Sequence, residues 1–325
     1  MTDGQDPPGA PLAAASSASS PATPAPESPP APTAPPATPA TPASAASPAT
    51  PASATSPDPG TPPASAASPA SAGRWVPATR KLLWWEIIAV FAVSLGGSGL
   101  YAFVDLIGSL TATRSLGKQT ATLNGSLAPG RPTLDLFLQL TNTLLGVAPV
   151  VLALYLIARE GETPAVIGLD GRHKAQDLAR GALVAAVIGG IGLGWILAAF
   201  HLGFNLNVVA ENLPDVWWRI PVLILSAAQN GLVEEVLVIG FLLRRLDQLG
   251  FRSSRAIAIS ATVRGSYHLY QGFGGFLGNA VMGVVFGFLY RRWGRVTPLV
   301  IAHTLIDMGA FIGYAELHGH VSWLP

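Results

Sequence analysis

Apolar and polar positions divide the chain near Leu82. From there on, apolar stretches of about 17–25 residues recur, the length a helix needs to cross a hydrocarbon core. They predict helices at roughly 83–107, 134–158, 178–200, 216–243, 254–271, 276–290 and 296–315. The fifth and sixth are short and flank a tight turn at Gln271-Gly-Phe-Gly-Gly275. Trp84, Trp85, Trp217, Trp218, Trp293 and Trp323 fall at or near span ends, where amphipathic rings suit the membrane–water interface. The expected fold class is therefore all-α: a polytopic transmembrane helix bundle of about seven spans. Six or eight are the alternatives, because short spans are easily split or merged.

Residues 1–73 have no such periodicity. They are almost entirely Ala, Pro, Ser and Thr, with Asp3, Asp6, Glu27 and Asp58 as the main charges. This composition buries too little surface to offset its ordering entropy, so a disordered Pro/Ala-rich cytoplasmic tail acting as a tether is expected, ahead of a transmembrane helical domain at 74–325. The first apolar run begins too far into the chain for a cleaved signal peptide, and the first span is expected to serve as its own insertion signal.

Charge sets the orientation. Of the 19 Lys and Arg residues, 14 lie before span 1 or between spans 2–3, 4–5 and 6–7. The positive-inside rule then places the N-terminus in the cytoplasm and the C-terminus outside, in a multi-pass protein of the plasma membrane. A net charge of +1 gives no argument for nucleic acid, and the lack of cysteine excludes disulfides and thiolate metal sites. Glycines in span 1 (Gly96, Gly97, Gly99), span 3 (Gly189, Gly190, Gly192, Gly194) and span 6 (Gly283, Gly287) are expected to let helices approach closely. Gly190-Ile-Gly-Leu-Gly194 has no preceding soluble strand, so packing is preferred there over a nucleotide loop.

Against this apolar background, Glu234 and Glu235 sit mid-span. An ionised carboxylate at such a depth costs roughly 2.5–3.5 kcal/mol on insertion scales, so it must face protein, water or a partner. At about 1.5 Å per helical residue, Glu234 lies roughly 15 Å from the basic side, Arg264 and His268 about 14–20 Å, and His303 and Asp307 about 12–18 Å. Three helices thus place ionisable groups in one layer. Arg264 and His268 are spaced i,i+4, as are His303 and Asp307, and each pair is expected to share a helix face. Such a set can hold and activate a water molecule, with the Glu as general base, one His orienting the water and a second stabilising oxyanion charge. Each group also has a purely structural reading as an interhelical polar contact. His201, His318 and His320 are read as surface residues.

Glu234-Glu235 with Gly240-Phe-Leu-Leu-Arg-Arg-Leu246, Tyr267-His268-Leu-Tyr-Gln271 and Ala302-His303-Thr-Leu-Ile-Asp307 resemble the motifs of the CPBP family, the CAAX-prenyl protease and Abi-type intramembrane proteases. The family pattern is Glu-Glu-x-x-x-Arg, Phe-x-x-x-His and His-x-x-x-Asn/Asp on three transmembrane helices, and the likeness covers a protease-like core at about 216–310. The resemblance implies peptide-bond hydrolysis without a covalent intermediate: Glu234 as general base, His268 holding the water, Glu235 orienting the site, His303 and Asp307 lining the oxyanion side. It implies a membrane peptide or protein substrate, prenylated ones included. It leaves two cofactor readings open: no cofactor, with water held by Glu and His, or a Zn²⁺ ion on Glu234, His268, His303 and Asp307. Two positions depart from the pattern: Ile239 stands where it has Arg, and Arg264 where it has Phe. Together they suggest a swap in which Arg264 supplies the charge partner of the Glu pair. A non-catalytic membrane scaffold that keeps these polar groups for folding is the runner-up; a transporter has less support, for want of an internal repeat.

Overall fold

A computed structural model describes residues 79–321. The expected tail at 1–73 and Trp323 lie outside the described residues. The described chain is mostly helical: α1 Arg80–Ala92, α2 Leu95–Thr111, α3 Pro132–Gly146, α4 Ala148–Ala158, α5 Lys174–His201, α6 Arg219–Glu234, α7 Leu242–Gln248, α8 Ser253–Ser266, α9 Phe273–Trp293 and α10 Thr297–Leu317. Two short strands, β1 Thr120–Asn124 and β2 Asn207–Glu211, pair in parallel with Thr120 opposite Asn207. This sheet is an addition to the all-α expectation. Its strands lie in connections between apolar runs, and pairing distant in sequence leaves no local period to read.

Among the described residues, five helical stretches are long and apolar enough to cross a membrane, and the chain is an integral membrane protein. They are Pro132–Ala158, Lys174–His201, Arg219–Gln248, Phe273–Trp293 and Thr297–Leu317. The pair α1 and α2, bent by 55° at its break, makes a sixth if it counts as one span. The remaining expected span, 254–271, is α8, whose 14 residues rise only about 21 Å, short of a core about 30 Å thick.

The bend between α1 and α2 is accommodated by a glycine. A Cβ at Gly96 would lie 2.7 Å from the Phe91 carbonyl oxygen, so only glycine lets the chain fold back there. The glycine run of α5 meets the expectation only at Gly189, where a Cβ would lie 3.6 Å from Ile306 of α10. Nothing lies within 4 Å of a Cβ placed at Gly190, Gly192 or Gly194, and the tightest approach of α5 to α10 is at Gly181, against Ile301.

Charged clasps close one end of the bundle. Arg245, buried on α7, lies 2.6 Å from Glu160 and 2.9 Å from Glu86 on α1. Arg295, in the α9–α10 turn, reaches Asp177 at 2.6 Å and Asp170 at 2.9 Å. Burial disfavours the Glu160 charge, but the hydrogen bond and charge of Arg245 outweigh it and hold the carboxyl below its usual range. The hydrogen bond from Arg295 likewise holds Asp170 low. At the other end, buried Glu211 of β2 accepts from Arg219 and from the Leu213 amide. α10 packs along both α5 and α6, and α8 lies along α9.

Candidate active site

The site forms where α6, the end of α8 and α10 meet. Glu234 is the last α-helical residue of α6; Glu235–Phe241 continues it as a seven-residue π-helical segment in which every residue is buried. π-helical turns are rare and often accompany functional sites. The wider turn breaks the i,i+4 geometry assumed for the family's Arg position, and Ile239 is fully buried in the apolar core. Ser260 of α8 donates to the Val238 carbonyl at 2.8 Å and so ties α8 to this segment.

α10 comes close because α6 has a glycine at the crossing. A Cβ at Gly231 would stand 2.9 Å from the Thr304 amide nitrogen and 3.0 Å from the Val300 carbonyl oxygen. One turn on from Gly231, His303 Nδ1 lies 2.7 Å from Glu235 Oε1. α8 is held on its other side by α9, where a Cβ at Gly283 would be 2.9 Å from Ala261 Cα.

The two adjacent carboxylates have different surroundings. Glu235 is completely buried, and its Oε1 takes both His303 and Arg264 Nη2, the latter at 2.5 Å. Glu234 keeps 8% exposure. Its Oε2 accepts a hydrogen bond from Tyr267 at 2.7 Å and lies 3.7 Å from Arg264 Nη1 and 3.8 Å from His268 Nε2. His303 Nε2 faces Asp307 Oδ1 at 3.6 Å, and Asn230 Nδ2 donates to Asp307 Oδ2 at 3.0 Å. The structure thus brings Glu234, Glu235, Arg264, His268, His303 and Asp307 into one cluster.

One expected relationship is corrected. α8 ends at Ser266, and His268 sits in the turn beyond it, not on a helix face shared with Arg264. The turn is stabilised by the His268 amide donating to the Gly265 carbonyl at 3.0 Å. Gln271, 3.3 Å from His268 Nδ1, orients the ring.

The sequence reading assigned no part to Tyr267, Asn230 or Gln271. Asn230 had a legible signal, being four residues before Glu234 and therefore on its helix face. Tyr267 had none, because its direction depends on where α8 stops.

Residues 216–309 match the family model described as type II CAAX prenyl endopeptidase Rce1-like. Over this Rce1-like stretch the chain is similar to the CAAX protease family. No curated protein and no solved structure matches the chain. The Rce1-like domain begins just before α6 and ends within α10, so it contains every residue of the cluster. Its fit to a metal is poor: among the described residues no three His, Asp or Glu side chains are grouped to hold an ion. The close contacts within the cluster are pairwise, Glu234 with His268 and His303 with Glu235 and with Asp307, whereas a zinc site needs three or four donors converging on one point.

Proposed function

We propose that the Rce1-like domain is an intramembrane endopeptidase with Glu234 as general base. The observation that carries this reading is the asymmetry of the two carboxylates. Glu235, enclosed by Arg264 and His303, is out of reach of a substrate; Glu234 is partly open and faces His268, whose Nε2 is bonded to no protein group. At 3.8 Å from Glu234 Oε2, His268 Nε2 is too far for a direct hydrogen bond, which leaves it free to hold a water beside the carboxylate.

In this mechanism a water held between Glu234 and His268 attacks the scissile carbonyl carbon as Glu234 takes its proton. The carbonyl oxygen becomes an oxyanion on the side lined by His303 and Asp307. With Nδ1 on Glu235, the His303 ring can present an N–H there only as the imidazolium. Collapse of the tetrahedral intermediate breaks the C–N bond, and Glu234 returns the proton to the leaving amine. Glu235 and Arg264 fix His303 and the Glu helix without touching substrate.

The substrate class is a peptide segment presented at or within the membrane, prenylated substrates being those the family's description suggests. The Arg-rich clasped end supports a cytoplasmic N-terminus, and the plasma membrane is the proposed location. The test is cleavage of membrane peptides, including prenylated C-terminal peptides, by the purified protein and by Glu234→Gln. Loss of cleavage in a variant with unchanged melting supports the protease. Absence of cleavage by the wild type across such a panel overturns it in favour of a non-catalytic scaffold.

A further inference from the structure

We propose that Tyr267 is a positioning residue, whose hydroxyl fixes one oxygen of Glu234 so that the other is presented to the attacking water. The inference rests on the reading of Glu234 as the base and adds how that base is aimed.

Three polar neighbours of the Glu234 carboxylate come closest to the same oxygen. Tyr267 donates to Oε2 at 2.7 Å, and Arg264 Nη1 and His268 Nε2 come nearest to Oε2 as well. Among the described residues no hydrogen bond reaches Oε1. A carboxylate clamped at one oxygen has a defined rotamer and a defined free lone pair, the condition for a base that must meet a proton in one place.

The choice of donor also follows from the geometry. Arg264 and Tyr267 are three residues apart at the end of α8, and their hydrogen bonds go to different acids: Arg264 bonds Glu235, Tyr267 bonds Glu234. The enclosed carboxylate receives a cation, which balances a charge that has no access to water. The less enclosed carboxylate receives its hydrogen bond from a neutral phenol, with the guanidinium farther off at 3.7 Å. Tyr267 is 5% exposed, with its ring 4.8 Å from that of His268, so the side chain has little freedom of its own. α2 backs the turn: a Cβ at Gly99 would be 2.9 Å from Ser266 Oγ and 3.7 Å from the Tyr267 nitrogen. A support locked by packing is what keeps a first contact in register.

Tyr267→Phe removes the hydroxyl and keeps the ring. In cleavage assays of the full chain, kcat is expected to fall on the order of 10²-fold with KM unchanged and melting near that of the wild type. An unchanged kcat overturns the proposal, and so does a fall that merely tracks loss of folded protein. Should the wild type itself cleave nothing, the protease reading fails, and the contact is read separately by a thermal-stability cycle with Tyr267→Phe, Glu234→Ala and the double variant. Coupled effects support a fixed Glu234 rotamer; additive effects overturn it.

Discussion

Arg264 Nη2 lies 2.5 Å from Glu235 Oε1, and neither side chain has measurable exposure. The two come from different helices, so the bond fastens the end of α8 to the start of the π-helical segment. Each charge alone at this depth would be severely unfavourable; together, with His303 as the second donor to the same oxygen, they form a compensated unit. Ile239, where the family pattern has Arg, is apolar and buried, and the counter-charge arrives from a neighbouring helix.

Breaking that pair from one side leaves a buried, uncompensated carboxylate. Arg264→Ala is expected to cost about 3–5 kcal/mol and to appear as loss of accumulated protein in the membrane fraction. Combining Arg264→Ala with Glu235→Gln should restore accumulation, because a neutral amide needs no counter-charge. A single Arg264→Ala variant that accumulates and melts like the wild type would contradict the account.

Asn230 holds Asp307 by one amide hydrogen bond at 3.0 Å. Asn230→Ala removes the donor, whereas Asn230→Asp also sets a second carboxylate against Asp307. The Asp variant should therefore lose more activity and more stability than the Ala variant, a ranking checked by cleavage rates and melting of both. Equal losses would mean that Asn230 acts through space-filling alone.

Gly231 decides how near α10 can come to α6. A valine there would drive its Cβ into the backbone of Thr304 and Val300, atoms that cannot move aside as a flexible side chain could. Gly231→Val is expected to destabilise by about 1–3 kcal/mol or more and to reduce cleavage more than stability, since it separates His303 from Glu235. Melting curves and single-turnover rates on the same preparation test this.

Asp170 links the clasped end to pH. Its carboxyl is held low by the hydrogen bond from Arg295, so the folded state binds that proton less readily than the unfolded chain. The stabilisation is fully present above the ordinary Asp value of about 3.9 and disappears as pH falls through the depressed folded value. The melting gap between the wild type and Asp170→Asn should therefore be open at neutral pH and narrow on acidification. A gap independent of pH would sink the idea.

The sequence by itself determined the membrane character, through long apolar runs, and the candidate chemistry, through ionisable residues at one depth on three such runs. Those features depend on composition and on helical rise, which are local. It could not determine that α8 stops at Ser266, that the Glu helix turns π-helical at Glu235, or that β1 finds β2. Each depends on contacts between segments far apart in the chain. Tertiary structure alone decided which of two adjacent, chemically identical carboxylates is sealed and which stays open. The packing of α8 and α10 around the Glu helix encloses Glu235 with Arg264 and His303, and turns Glu234 toward Tyr267 and His268.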